Sequence, residues 1–165
     1  MGPAMTDVSR AALACQISRR GVLAGLSFAG LLLVQAGAVF AHSYKIGSIS
    51  IGHLWAPPPR EGDDGLPVYG ALLNQGDSVA RLIGASTPVA ENVRFRLKED
   101  SGITWPQAID LQPGKPFGMA PWREHLWLSG LREALKEGDT CELTLDFADQ
   151  GKVAVTVILE NEGGH

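Results

Sequence analysis

Several segments of the chain beyond residue 45 alternate hydrophobic and polar residues with a period of two. The alternating segments cover residues 49–55, 93–98, 141–147 and 153–159. This period is typical of β-strands that are buried on one face. Ala148-Asp149-Gln150-Gly151 separates the last two segments and predicts a hairpin turn. We expect two more strands, over 68–73 and 80–83, on either side of a polar turn.

Several short strands at regular spacing predict an all-β fold, namely an antiparallel Greek-key β-sandwich. In this interpretation His53 and Trp55 share a strand face with Ile49 and Ile51. The one helical candidate is short, around Leu131 to Lys136, and ends at Gly138-Asp139. A Pro-, Gly- and Asp-rich stretch over residues 57–65 predicts an exposed polar loop.

The first 41 residues have the features of an export signal. Arg19-Arg20 precedes an apolar run from Leu23 to Val34, and Ala38-Val39-Phe40-Ala41 supplies the small residues of a cleavage site. Ser-Arg-Arg followed by apolar residues favours a twin-arginine signal, with an ordinary secretory leader and an uncleaved anchor as the alternatives. We therefore expect a signal peptide over 1–41, a β-sandwich domain over 42–160 and a flexible tail over 161–165.

Composition and the absence of known motifs argue against two classes of function. The chain of 165 residues carries 14 Lys+Arg and 18 Asp+Glu, and loss of the leader leaves a domain with a net charge of -6. An acidic domain argues against general nucleic-acid binding. Phosphate-binding loops, nucleophile elbows and zinc-protease motifs are absent from the sequence, so we do not expect an enzyme.

Two strands place polar side chains away from the predicted core. Leu126 and Leu128 should face inward, so His125 and Trp127 should project together on the other face. Arg96 should also leave the core, because its strand neighbours Phe95 and Leu97 are apolar.

Ordered segments along almost the whole exported chain resemble the periplasmic copper chaperone family PCuAC. They are Trp55-Ala56, Val68-Tyr69-Gly70-Ala71, residues 77–93, residues 125–131 and residues 135–140. The resemblance implies a cupredoxin-like β-sandwich that is exported to the periplasm. It also implies copper as the cofactor and a role accessory to respiratory oxidase copper-centre assembly. A respiratory oxidase subunit or another copper-handling protein would be the partner, with the membrane encountered only during export.

The resemblance also assigns the family's copper ligands, which are a His, a following Met and a later His-x-Met. His125 keeps the His of the last pair, whereas Trp127 replaces its Met. The first His falls on Arg96 and the first Met on or near Trp105. Arginine is cationic and indole has no free lone pair, so a soft Cu(I) site is not preserved.

Three interpretations of these positions remain open. In the first, His125, Trp105, Trp127 and Arg96 form a non-metal surface that binds a partner or an anionic ligand. In the second, copper is held differently, in a remodelled site. In the third, the tryptophans only pack and His125 has no task.

The second interpretation has one concrete extra ligand source. Cleavage after Ala41 would make His42 the first residue, and its amine and imidazole could chelate Cu(II). The alternative is that His42 belongs to a frayed terminus. Among the other candidates, we expect His53 to be satisfied or partly buried and Cys141 to be a buried, inert thiol. Met119 could be a core filler or a ligand, and His165 lies in the tail.

Overall fold

The computed structural model describes residues 43–161, and this part of the chain consists of strands and connecting loops with no helix. The strands are β1 (Tyr44–Ile46), β2 (Ile49–Ala56), β3 (Gly65–Asn74), β4 (Ala80–Ser86), β5 (Ala90–Glu99), β6 (Gly102–Thr104), β7 (Ile109–Leu111), β8 (Pro116–Met119), β9 (His125–Leu131), β10 (Thr140–Phe147) and β11 (Gly151–Leu159). The all-β class predicted from the alternating pattern is confirmed.

Strand pairing runs in the order β6-β5-β9-β3-β2-β11-β10-β4-β7, with β1 added to β2 and β8 added to β3. The pairing of β2 with β11 is parallel, so the sheet is mixed and the expectation of purely antiparallel pairing is wrong at this place. The other pairings between these strands are antiparallel. The parallel pair joins the first long strand to the last and so ties the two ends of the domain together.

One hydrophobic core lies between the strands. The hairpin of β10 and β11 shows how the sequence pattern builds it, because Leu143, Leu145 and Phe147 point inward and are buried while the residues between them face solvent. Cys141 lies on the same inward face and is 5% exposed. Gly151 has a positive φ of 87°, which the turn between the strands requires and which glycine adopts without strain.

Strand β2 departs from the predicted alternation. Its register against β3 shifts between Ile51 and Leu54, which is a β-bulge. After the bulge Leu54 and Ala56 face the core, whereas His53 and Trp55 turn outward. The prediction that His53 and Trp55 share a face with Ile51 is therefore wrong, because one extra residue reverses the faces of everything that follows.

The expected helix over Leu131 to Lys136 is also wrong. Leu131 ends β9, and the segment that follows is irregular. Its backbone is held by other partners: the Gly138 N–H donates to the Leu159 carbonyl, and the Asp139 carboxylate accepts from the Lys136 N–H at 2.9 Å. Six residues are too few to nucleate a helix against such bonds.

Strand β3 pairs with two different strands, β9 and β8, along its length. Residues 65–68 pair with β9 and residues 70–73 pair with β8. Gly70 begins the second stretch with φ at 148°, and a Cβ atom there would lie 2.4 Å from the Leu54 side chain. The absence of a side chain at Gly70 lets β2 approach β3 where β3 changes partners.

The predicted signal peptide, the candidate ligand His42 and the C-terminal His165 lie outside the described residues. Within residues 43–161, no helix has the length and apolar character needed to cross a membrane.

Candidate functional site

A row of four side chains crosses the four neighbouring strands β5, β9, β3 and β2. Arg96 on β5 is the register partner of His125 on β9. The His125 ring contacts Tyr69 on β3 with 5.3 Å between ring centroids, and Tyr69 contacts Trp55 on β2 at 5.0 Å. The fold thus places the family's predicted ligand position beside an arginine on one side and an aromatic pair on the other.

Trp127 lies beside this row and is held from two sides. The Arg96 guanidinium carbon lies 3.8 Å from the centroid of a Trp127 ring, which is cation–π stacking distance. On the β3 side, a Cβ atom on Gly65 would lie 2.6 Å from the indole Nε1 of Trp127, so the indole packs directly on this glycine. The missing side chain at Gly65 makes the space that Trp127 fills.

A second arginine–tryptophan stack extends the pattern along β5. The Arg94 guanidinium carbon lies 4.0 Å from the Trp105 ring centroid, just after β6. Arg94 is also the register partner of Trp127. Cross-strand partners project on the same face of a sheet, so Arg94, Arg96 and Trp127 share one face, and Trp105 is stacked on Arg94. We call Arg94, Arg96, Trp105 and Trp127 the arginine–tryptophan surface.

His125 is more buried than expected. It shares the face of Trp127, as the alternation predicted. It is only 3% exposed because Tyr69 and the backbone of Ala120 and Arg123 lie against it. Its Nδ1 lies 2.8 Å from the Arg123 carbonyl oxygen. A carbonyl oxygen only accepts, so Nδ1 carries the hydrogen and Nε2 carries the lone pair in the neutral ring.

The protonation of His125 follows from the same surroundings. Burial lowers the pKa of His125, and the positive charge of Arg96 lowers it further. The carbonyls of Arg123 and Ala120 act in the opposite direction, because they favour the protonated ring. The neutral ring is therefore the favoured form at neutral pH.

Arg96 has unused hydrogen-bonding capacity. Its Nε atom is buried and has no hydrogen-bond partner. The ion pairs within residues 43–161 involve other cations, so the Arg96 guanidinium has no carboxylate partner there. Stacking occupies the flat face of a guanidinium and leaves the N–H edges available to an acceptor.

A shallow aromatic depression of about 340 Å³ continues from the Tyr69 end of the row. Trp122 forms part of its wall and is 73% exposed. His53 forms another part, and its Nε2 lies 2.7 Å from a carboxylate oxygen of Glu160. The depression and the arginine–tryptophan surface are therefore linked through His125 and Tyr69.

The described residues do not fit a thioether copper site. Met119 is 3% exposed and Cys141 is 5% exposed, and both belong to the hydrophobic core. Within residues 43–161, no group of three or more His, Cys, Asp or Glu side chains could hold a metal ion. The residue set at the expected ligand positions supplies one imidazole, one cation and two indoles, and Cu(I) prefers soft sulfur donors.

The structure brings together most of the residues that the sequence singled out. Arg96, His125 and Trp127 are neighbours, whereas Trp105 contacts Arg94 rather than Arg96. The sequence pattern indicates no role for Gly65 and no contact between Tyr69 and His125. Gly65 is the last residue of the predicted loop over 57–65, and only the register of β3 against β9 reveals its position under Trp127.

The comparisons with known proteins point to one family. The family model described as "Putative lipoprotein LpqE-like" matches residues 49–159. The chain is similar to the copper-bound PCuAC domain from PmoF2, at 30% identity over 73% of this chain and 99% of that one, with a TM-score of 0.66. The apo PmoF2 PCuAC domain matches at 29% identity over 74% and 98% of the two chains, with a TM-score of 0.64.

A more distant structure shows the fold alone. Copper(I)-bound DR1885 from Deinococcus radiodurans matches at 21% identity over 78% of this chain and 87% of that one, with a TM-score of 0.57. The search of curated proteins gave no match. These likenesses confirm the predicted cupredoxin-like sandwich and its copper chaperone-like fold. Since the family model covers most of the described domain and a PCuAC domain 30% identical to it is covered almost entirely, the chain belongs to the LpqE-like, PCuAC-type family.

Proposed function

We propose that this protein is an exported, non-catalytic binding protein of the copper chaperone family. In this proposal the family's copper position has become a surface for a partner or ligand. The observation that carries the proposal is the stack of Arg96 on Trp127 at 3.8 Å. These two residues stand where the family resemblance expects a His and a Met ligand.

The chemistry of the stack supports this proposal over a Cu(I) carrier. The Arg96 guanidinium is a cation and repels a cation that approaches His125. The Trp127 indole fills the space beside His125 without offering a lone pair that could bind a metal ion. A stacked guanidinium beside an indole is instead suited to a planar or anionic group, because it offers both a hydrogen-bonding edge and an apolar face.

A second candidate function is copper handling through a remodelled site, accessory to respiratory oxidase copper-centre assembly. One observation favours it: the PmoF2 PCuAC domain, 30% identical to this chain, is described as copper-bound. The neutral His125 ring would supply one nitrogen ligand. His42 at the new N-terminus would supply another site, suited to Cu(II).

Export is part of the proposal. We propose a signal peptide of the twin-arginine type over residues 1–41, a domain over 42–160 and a flexible tail over 161–165. The twin arginines and the small-residue cleavage site support this assignment. The matching family is described as a putative lipoprotein, and this description supports export in general. The proposed location is the periplasm, or another place reached by export across the bacterial cytoplasmic membrane.

Restoring the family ligands tests the proposal. The variant carrying Arg96→His, Trp105→Met and Trp127→Met should bind Cu(I) at least about 1,000-fold more tightly than the unmodified domain, which corresponds to about 4 kcal/mol. Affinity is measured by competition with a Cu(I) chelator. Adding His125→Ala to the triple variant should remove most of the gain, since that imidazole would complete the set.

Two results would contradict the proposal. Equal Cu(I) affinity of the triple variant and the unmodified domain would show that these positions do not surround one metal position. Tight Cu(II) binding that disappears when His42 is removed would support the second candidate and place copper at the N-terminus.

A further inference from the structure

We propose that the arginine–tryptophan surface binds an extended acidic segment of a partner protein, with carboxylates on alternate residues. This inference rests on the proposed function and names its ligand class. Arg94 and Arg96 supply the contacts, with Lys98 continuing the row. We call these three residues the basic stripe.

The basic stripe lies on one face of one strand. Its members occupy positions i, i+2 and i+4 of β5, so their side chains leave the sheet on the same side. Arg94 and Lys98 are exposed, and Arg96 is half-buried. Side chains two residues apart on a strand are separated by about 6.6 Å, which is also the repeat of carboxylates on alternate residues of an extended peptide.

The cations of the basic stripe are not neutralised within residues 43–161. The ion pairs there use His53, Arg81, Arg123 and Lys152. Three neighbouring positive charges without carboxylate partners repel one another, and an incoming acidic segment relieves this repulsion. The positive charge of the basic stripe is therefore not compensated by carboxylates of residues 43–161.

The tryptophans orient the arginines for carboxylate recognition. Arg96 is stacked on Trp127 and Arg94 is stacked on Trp105, which restricts each guanidinium plane before a ligand arrives. An ordered guanidinium loses less conformational entropy when it forms paired N–H to carboxylate hydrogen bonds. The indole beside each guanidinium also gives the ligand backbone an apolar surface to lie on.

The overall charge of the protein makes the stripe selective. The whole chain has a formal net charge of -4, so most of its surface repels an acidic peptide. Only a local cluster of cations can attract one. A partner segment with alternating Glu or Asp would therefore bind along β5 rather than at scattered sites.

Peptide binding to the metal-free domain over residues 42–165 tests this inference. The probe is a Gly-Glu-Ala-Glu-Ala-Glu-Gly peptide, and binding is followed by tryptophan fluorescence and calorimetry at low salt. We expect saturable binding that is at least tenfold tighter than for a peptide with Glu at every third position. A peptide with Gln in place of each Glu should not bind.

Variants connect the binding to the stripe. Arg94→Gln and Arg96→Gln should each weaken binding about tenfold or more, because each removes a charge-assisted hydrogen-bonding group. Lys45→Gln is the matched control, since Lys45 is exposed on β1 and lies outside the stripe; it should leave the affinity unchanged. Arg94 is exposed, so its variant should fold normally even if Arg96→Gln does not.

Three outcomes would overturn the inference. They are absence of binding at millimolar peptide, equal weakening by Lys45→Gln and Arg94→Gln, and arginine-dependent binding to phosphatidylglycerol vesicles without peptide binding. The proposed function fails separately, through tight Cu(I) binding by the unmodified domain. A domain that binds neither copper nor the peptide would refute this ligand class and leave the loss of the copper site standing.

Discussion

Replacing the Arg96 guanidinium and the Trp127 indole, singly and together, measures the energy of the contact at the centre of the site. The variants are Arg96→Gln, Trp127→Leu and the combination of both. Each single change removes the 3.8 Å stack. The double variant then shows how much of the two losses is shared, which is the coupling energy of the pair.

The structure sets the expected size of this coupling. Cation–π pairs contribute about 0.5–1 kcal/mol when exposed and about 2 kcal/mol when desolvated. Arg96 and Trp127 are both half-buried, and the Arg96 Nε is fully buried. We therefore expect a coupling of about 1–2 kcal/mol between them. Arg94 is exposed, so its coupling to Trp105 should be about 0.5 kcal/mol.

The assay is urea unfolding of the domain over residues 42–165, with the free energy of unfolding extrapolated for all four proteins of the cycle. A cycle between Lys45 and Trp127 is the control, because the two lie on separate strands without contact and should show no coupling beyond error. A coupling between Arg96 and Trp127 below about 0.3 kcal/mol would refute the inference that this stack restrains the Arg96 guanidinium.

Three more predictions concern other parts of the chain. Cys141 should react with a thiol reagent only on unfolding, since burial raises the pKa of its thiol; fast labelling of the native domain would contradict its inward position. Because the folded-state pKa of His125 is lowered from 6.5, the free energy of unfolding should fall as the pH drops below about 6.5, and His125→Gln should flatten this dependence in urea titrations at pH 5 and 7. Replacing Arg19 and Arg20 by Lys should abolish export, and N-terminal sequencing of exported protein should show cleavage after Ala41; export of the Lys variant in cells lacking the twin-arginine translocase would contradict the first part.

Regular alternation allowed much of the fold to be predicted from the sequence. Strand β10 alternates from Cys141 to Phe147 without interruption, and its inward set is the one predicted. The predictions failed where a local feature changed the period. The bulge in β2 reversed the face of His53. Gly52 lies at this bulge, and a glycine inside an alternating strand segment is a residue type that marks one.

The sequence predicts which residues belong to the site better than it predicts which of them touch. Alternation in β5 and β9 is enough to place Arg96 and Trp127 on outward faces. Which strands are neighbours depends on long-range register, so the sequence pattern did not show that Gly65 supports Trp127 or that Tyr69 covers His125. Burial of His125 follows from its contact with Tyr69 on β3 as well as from the nearby backbone of Ala120 and Arg123, and the first of these is not visible in the sequence.

The Cu(I) affinity of the unmodified domain over residues 42–165, measured by competition with chelators of graded strength, decides most directly whether the copper site is lost. We expect weak binding that a moderate chelator removes completely, and no further loss in the His125→Ala variant, because one imidazole beside Arg96 does not make a Cu(I) site. Tight, stoichiometric Cu(I) binding that His125→Ala abolishes would contradict the loss of the copper site and show that the His125 position still holds copper.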